Sequence, residues 1–394
     1  MNQLVASFLL AAMAFWTLSV TSAAAQEQIK GVPLVTLVYI ARGAADVCGA
    51  GCNRWIAVEG KIDEAAAGRL RRVLQSPQAR GLPILLHSPG GNARQSLAMG
   101  RMLRERKVAG RVARTLVKEC GSDQASPDCV KLKQGGKELE AEITTTQAHC
   151  SSGCTFLLMG AATREVAFGV GIGVHLPGVT LNAKLQAVPK ATRERAVGRA
   201  LDSLNRDMAA YIVAMGIDRR LFDLIKTVRF ESMHALTRDE IFRFGIDKRE
   251  MVETDWSFNG AWIEKLVQAR GTSTGKEFRI RRWRIMCGAG QSLLMSYARN
   301  NRDEPLASAA LRFGADQKIV LGAFEQAALR TVTVEAGMVE KLKVATQLSL
   351  MEVGTADVAA GAERSVEETV LSTSGLAQAI EQLWRACRPQ GRRG

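Results

Sequence analysis

The chain has 394 residues, 47% hydrophobic, 5% aromatic and 23% charged, with a net charge of +14. This balance belongs to a globular protein of roughly two or three domains and excludes a disordered chain or a multispan membrane protein. Its 36 Gly and 9 Pro follow no triplet period and no block repeats itself, so collagen-like, solenoid and low-complexity organisations are excluded as well.

At the N-terminus, Leu4 to Val20 is the one stretch apolar enough for a bilayer, and Ala23-Ala24-Ala25 after it fits the small-residue rule for signal-peptidase cleavage. Residues 1–25 therefore read as a signal peptide that directs residues 26–394 to the periplasm or outside the cell. The n-region Met1-Asn2-Gln3 carries no Lys or Arg, and the apolar run approaches spanning length, so an uncleaved N-terminal anchor is the alternative.

Beyond this segment, Leu34 to Ile40 is apolar, and Trp55 to Gly60 reads as a strand ending at glycine. Asp63 opens a helix whose apolar side carries Leu70, Val73 and Leu74, and Gly81-Leu82-Pro83 breaks the chain before the buried strand Ile84-Leu85-Leu86. Strand, helix, strand is a parallel crossover. The second strand runs into His87-Ser88-Pro89-Gly90-Gly91-Asn92, followed by Leu97, Met99, Met102 and Leu103 near helical spacing. The glycine pair thus stands at a strand-to-helix corner, where backbone N–H groups are exposed and a ligand meets no Cβ. A plain structural turn is the competing reading of that corner.

Residues 116–148, with Cys120, Cys129 and mixed charges, read as an insertion pinned by a disulfide outside the core. His149-Cys150-Ser151-Ser152-Gly153-Cys154 then turns into the apolar run Thr155 to Gly160, placing a serine at the mouth of a buried helix. Short strands punctuated by glycine lead from Arg164 to His175. Residues 191–229 read as helical, and Thr237 with Glu240 has capping-box spacing ahead of a helix that Gly245 stops. From about residue 255 the pattern becomes alternating: Phe278–Trp283, Leu293–Tyr297, Lys318–Leu321, Thr331–Val334 and Lys343–Leu350 read as strands of a second, β-rich domain (255–394), with a helical tail from Gly375 to Cys387.

Eight cysteines, Cys48, Cys52, Cys120, Cys129, Cys150, Cys154, Cys287 and Cys387, all follow the leader. An even count in an exported chain favours disulfides, and sequential neighbours are the preferred pairing because the pairs fall in separate segments, although spacing leaves the connectivity open. The four histidines, 87, 149, 175 and 234, form no Cys/His repeat with them, so no metal is expected. The basic excess is local. Arg69, Arg71, Arg72, Arg80, Arg94, Arg101, Arg104, Arg106, Lys107, Arg111 and Arg114 face a single acid, Glu105. Without a binding motif or interleaved aromatics this argues against nucleic acid and for a solvated helix face, or else attraction to an anionic membrane surface or polymer.

Three ordered motifs carry a resemblance over residues 54–248: the strand Trp55 to Ile62, the corner Ser88-Pro89-Gly90-Gly91, and Ser152-Gly153-Cys154-Thr155-Phe156-Leu157-Leu158 followed by His175-Leu176-Pro177. The segment resembles the Clp-peptidase proteolytic subunit of the Clp/crotonase superfamily, and more closely the exported Clp-like proteins of bacteria. The resemblance implies an α/β fold, a ββα spiral over residues 26–254, followed by the smaller β-rich domain. It implies Ser152 as nucleophile and His175 as general base; the N–H groups of Gly91 and Gly153 would form the oxyanion hole for a tetrahedral intermediate. The expected activity is that of a serine hydrolase acting on peptide or protein substrates, without a cofactor and without the regulatory ATPase that the cytoplasmic family uses. Self-association is expected too. One departure stands out: aligning Phe244-Gly245-Ile246 with the family's Tyr-Gly-Leu puts Met233 where the family has its triad Asp, with Glu231 and His234 near but not equivalent. A catalytically silent Clp-like scaffold is therefore the alternative; a Ser-Lys enzyme and an acyl-CoA hydratase rank below it, for want of an obvious Lys partner and of CoA outside the cytosol.

Overall fold

In a computed structural model, residues 32–179, 186–270, 277–289, 292–299, 305–314, 317–324, 329–355 and 366–387 are described. The expected leader lies outside these residues, and no described helix is long and apolar enough to cross a membrane.

The first unit is built on a seven-stranded sheet. Its strands are β1 (Leu37–Arg42), β2 (Arg54–Glu59), β3 (Ile84–His87), β4 (Gly110–Val112), β5 (Arg114–Val117), β6 (Leu139–Thr144) and β8 (Arg164–Glu165), in the order β5-β6-β1-β2-β3-β4-β8. From β2 to β8 every neighbouring pair is parallel, with the crossovers made by helices α1 (Ala66–Gln75), α2 (Ala93–Glu105) and α4 (Gly153–Gly160). A parallel sheet must be covered on both faces. Along β2, Ile56 and Val58 face a core shared with Leu70, Leu97, Leu103 and Leu157, whereas Trp55 and Ala57 face a second core with Tyr39, Leu85, Val117 and Leu139.

The second core corrects the reading of residues 116–148. The segment is pinned by Cys120–Cys129, but it is not outside the core. Its strand β6 pairs in parallel with β1, and helix α3 (Pro127–Gln134) lies over the sheet face that the crossover helices leave open. Lys133 on that helix is wholly buried. Its Nζ sits 2.8 Å from Glu59 Oε2, and the Tyr39 hydroxyl donates to Glu59 Oε1 at 2.9 Å. The local basic excess divides. Arg71, Arg72, Arg80, Arg94, Arg101, Arg106 and Lys107 are exposed, as a solvated face requires, whereas the half-buried Arg104 donates to the carbonyls of Met159 and Met215 and the half-buried Arg111 to that of Cys48, satisfying loop and helix-end carbonyls.

A small second sheet of β7 (His149–Ser151), β9 (Gly171–Val174) and β10 (His234–Ala235) abuts the first through a bridge between Ser88 and Cys150, while a bridge between Ile62 and Gly91 joins the segments that follow β2 and β3. Helices α5 (Lys190–Ala214) and α6 (Arg220–Thr227) complete the larger core, and α7 (Arg238–Arg243) begins with the expected capping box of Thr237 and Glu240 and ends before Gly245, at φ 75°.

From Met251 the chain is antiparallel. Strands β11 (Met251–Glu253), β13 (Trp262–Arg270), β14 (Phe278–Cys287), β15 (Leu293–Ala298) and β18 (Leu329–Val334) form one sheet, to which β12 (Ser257–Phe258) adds, and β17 (Lys318–Phe324), β16 (Leu306–Phe313), β19 (Leu348–Gly354) and β20 (Val366–Leu371) form another. Both contribute to a single core with helices α8 (Ala336–Lys343) and α9 (Leu376–Cys387). The strand expected over Lys343–Leu350 begins only at Leu348. Val339 and Leu342 instead bury one side of α8, at helical spacing. The protein is thus a mixed α/β molecule with several sheets. The units meet where Phe278 N donates to Asp239 Oδ1 at 2.9 Å and its ring packs on Phe242.

Candidate active site at the Ser152 elbow

Strand β7 is three residues long and pairs in parallel with β9, Ser151 opposite Gly173. Helix α4 starts at Gly153, so a single residue must reverse the chain from strand to helix. That residue, Ser152, takes φ 54° and ψ −121°. A left-handed conformation at a non-glycine residue costs about 1–3 kcal/mol and persists only where its surroundings over-determine it. Here they do. Ser152 N donates to Gly173 O at 2.8 Å, Thr155 N donates to Ser152 O at 3.0 Å, and the Thr155 hydroxyl reaches the carbonyls of Cys150 and Gly173 at 2.9 and 2.8 Å. The Cys150–Cys154 disulfide closes around the turn.

The second wall is the corner after β3. Gly90 and Gly91 both have positive φ, 92° and 144°. Ser88 shapes the corner: its hydroxyl donates to Gly60 O at 2.6 Å and accepts from Gly90 N at 3.0 Å. A Cβ on Gly90 would stand 2.7 Å from Ser152 Cβ and 2.7 Å from Gly153 N, so only glycine lets the two corners touch. Ile62 fixes Gly91 from behind, donating to Gly90 O at 2.8 Å and accepting from Asn92 N at 2.7 Å. This register bypasses the N–H of Gly91. Among the described residues, neither that N–H nor the N–H of Gly153 donates a hydrogen bond. Gly91 N lies 3.3 Å from where a Cβ on Gly153 would be. Two unused amides beside a strained serine can receive a developing oxyanion.

His175 directly follows β9. It is 9% exposed, and the Phe230 ring lies 5.5 Å from its own. Burial pushes the imidazole below its ordinary value, against an upward pull from the Leu176 backbone and the Glu231 charge; the ring is therefore neutral at pH 7, as a base must be. Its Nδ1 is buried without a hydrogen-bond partner. No hydrogen bond joins it to Ser152, although β7 and β9 carry both residues to the same end of the small sheet. Met233 precedes the His234–Val174 pair of β9 and β10, so it stands across from His175, and its sulfur lies 2.6 Å from where a Cβ on Gly173 would be. No carboxylate occupies that place.

The other histidines are engaged elsewhere. His87 and His149 pack ring to ring at 4.3 Å, with His87 pushed down to about 3, chiefly by burial, and His234 Nε2 is 3.0 Å from Glu240. All eight cysteines are paired, 48–52, 120–129, 150–154 and 287–387, and no described cluster of three or more His, Cys, Asp or Glu could hold a metal ion. Sequence reasoning reached Ser152, His175, Gly91 and Gly153, and placed Gly90 at the corner without its contact to Ser152, but missed Phe230; the packing of Phe230 on His175 and on Gly178 had no signal beyond an aromatic residue in a loop. The chain matches no protein-family model and no curated protein.

Proposed function

We propose that the protein is an exported serine hydrolase of Clp/crotonase type that cleaves peptide or protein substrates. Repeated parallel crossovers on one sheet, with a small second sheet carrying the nucleophile turn, support the spiral reading of the first unit. Disulfides in both units, with no described membrane-crossing helix, are compatible with work outside the cytoplasm.

The single observation that carries the proposal is the strained turn at Ser152, with the unused N–H groups of Gly91 and Gly153 beside it. In the mechanism this supports, the substrate carbonyl oxygen enters between those two donors. Neutral His175 takes the proton of the Ser152 hydroxyl as Oγ attacks the carbonyl carbon, and returns it to the leaving amine, so that an acyl-serine forms. Water then repeats the sequence, with His175 again as base.

A second reading, a catalytically silent scaffold of the same fold, is favoured by the absent Ser152–His175 hydrogen bond and by Met233 in the carboxylate's place. A fluorophosphonate probe separates the two. The hydrolase should be labelled on Ser152, with Ser152→Ala abolishing labelling and His175→Ala slowing it by about 10²–10⁴ while the thermal melt is unchanged. Met233→Asp should accelerate labelling by about tenfold, because a carboxylate there orients the imidazole. If wild type and Met233→Asp both ignore the probe, the scaffold reading stands.

A further inference from the structure

His175 is a polar side chain more than nine-tenths buried, with one ring nitrogen that touches no acceptor. In the proposed hydrolase that nitrogen is the one a carboxylate would hold, and a buried N–H without a partner loses the hydrogen bond it would make in water. Something must satisfy it when the imidazole becomes charged. The chain around it offers few acceptors. Met233 opposite has a thioether, a weak acceptor. His234, paired with Val174, turns its Nε2 to Glu240, whose carboxylate is already committed to His234, to the Thr237 N–H and to the Thr237 hydroxyl.

Glu231 remains. It follows Phe230, whose ring packs on His175, in the turn between Val228, which accepts from Leu176 N at 3.0 Å, and strand β10. The turn is thus tied to His175 at both ends, by that hydrogen bond before it and by the β9–β10 pairing after it. Glu231 is exposed, and among the described residues its carboxylate makes no ion pair or hydrogen bond. Its negative charge is nonetheless felt at the imidazole.

We propose that Glu231 is the positioning residue of this site: its carboxylate turns onto Nδ1 of His175 and takes over, from two residues earlier in the chain, the role left empty at Met233. The inference rests on the serine-hydrolase reading. No bond is made or broken by Glu231; it holds the Nδ1–H tautomer, leaving Nε2 free for the Ser152 proton, and stabilises the imidazolium. Reaching from an exposed turn, it acts through a more screened contact than a buried triad acid, so its effect is smaller than the 10⁴ of such an acid.

The test pairs two readouts on the full mature chain. Proton-detected NMR titration of the His175 ring follows the contact whether or not the protein is active. Glu231→Gln should make His175 titrate about one pH unit lower, with Glu231→Asp restoring part of the difference. Fluorophosphonate labelling of Ser152 should slow about tenfold in Glu231→Gln, with the pH midpoint of labelling moving the same way, and recover in Glu231→Asp. An unmoved His175 titration in Glu231→Gln overturns the inference, whatever the probe does. If instead the titration moves and wild type is never labelled, the contact stands and it is the hydrolase reading that falls.

Discussion

Left-handed backbone at non-glycine residues occurs at Asp46, Lys107, Gln147 and Ser152, all in the first unit, whereas from Met251 onward every described residue with such a φ, Gly260, Gly314, Gly322 and Gly375, is a glycine. The cores are otherwise alike in one respect. Each buries a tyrosine hydroxyl on a glutamate that is paired with a cation: Tyr39, Glu59 and Lys133 in the first, Tyr297, Glu352 and Arg281 in the second. Buried polar groups of this kind are satisfied within each core and define no chemistry. Strain at a side chain that could have been glycine is different, because it persists only where the surrounding structure holds it. The difference confines left-handed backbone that bears a side chain to the first unit, while in the second only glycines adopt it.

Acid should divide the units most strongly. All four histidines lie before Met251, and His87 is held neutral down to about 3, chiefly by burial. The unfolded chain protonates that imidazole from about pH 6.5 downward, and the folded chain does not until about 3. Stability is therefore present above 6.5 and lost as pH falls through that window, by about 4–5 kcal/mol at its lower end. Asp247, lowered to about 2 by Arg249, Arg238 and two backbone N–H groups against the opposing effect of burial, keeps its contribution until pH falls below about 4 and loses it toward 2. Hydrogen exchange at graded pH should show the first unit opening between pH 6 and 4 while the second stays protected. Simultaneous opening of both would break the distinction.

The disulfides sharpen it from the other side. Cys287–Cys387 closes a span of 100 residues, and the three bridges of the first unit close spans of 4, 9 and 4. In the chain-entropy picture the long loop stabilises by about 4–5 kcal/mol. Replacing Cys287 and Cys387 by Ser should thus lower the denaturation midpoint of the second unit, read by exchange of β14 and α9, while Ser152 labelling stays at its wild-type rate. A loss of labelling would tie the β-rich unit to the site.

Much of the first unit is legible in the sequence because its signals are local. Leu70, Val73 and Leu74 repeat at helical spacing, Thr237 and Glu240 cap α7, and the Pro-Gly-Gly corner follows an apolar strand. What was hidden depends on distant partners. Lys133 looks like a surface residue until Glu59, 74 positions away, neutralises it, and β6 alternates acids with apolar residues, so its buried Leu139 and Ala141 do not stand out. In the second unit Trp262–Arg270 escaped notice although it alternates strictly, because Glu264, Lys265 and Gln268 dilute the apolar signal and Lys265 is buried against Glu253. The serine, the histidine and both glycines of the site could be named from sequence. Their separation into a strained turn, an unused pair of amides and an unpartnered imidazole is a matter of register between β3, β7 and β9, which no local pattern encodes.

The smallest change in stability should carry the most specific change in chemistry. Cys150–Cys154 and Cys48–Cys52 have the same sequence separation, 4, and both lie in the first unit, so loss of either should cost about 2 kcal/mol by loop closure. Their positions differ. Cys48 belongs to the core on the α3 side of the large sheet, whereas Cys150 and Cys154 bracket Ser152. The strain at Ser152, about 1–3 kcal/mol, is of the same size as the constraint that this disulfide supplies. Without it, the Gly173 and Thr155 hydrogen bonds must hold the turn alone, and part of the population should relax toward an ordinary φ, withdrawing the hydroxyl from Gly91 and Gly153. Cys150→Ser with Cys154→Ser should accordingly slow fluorophosphonate labelling about tenfold, and Cys48→Ser with Cys52→Ser, equally destabilised, should leave it unchanged. Equal labelling in the two double variants would mean that hydrogen bonds alone fix the elbow; equal loss would mean that labelling follows global stability and the turn carries no special strain.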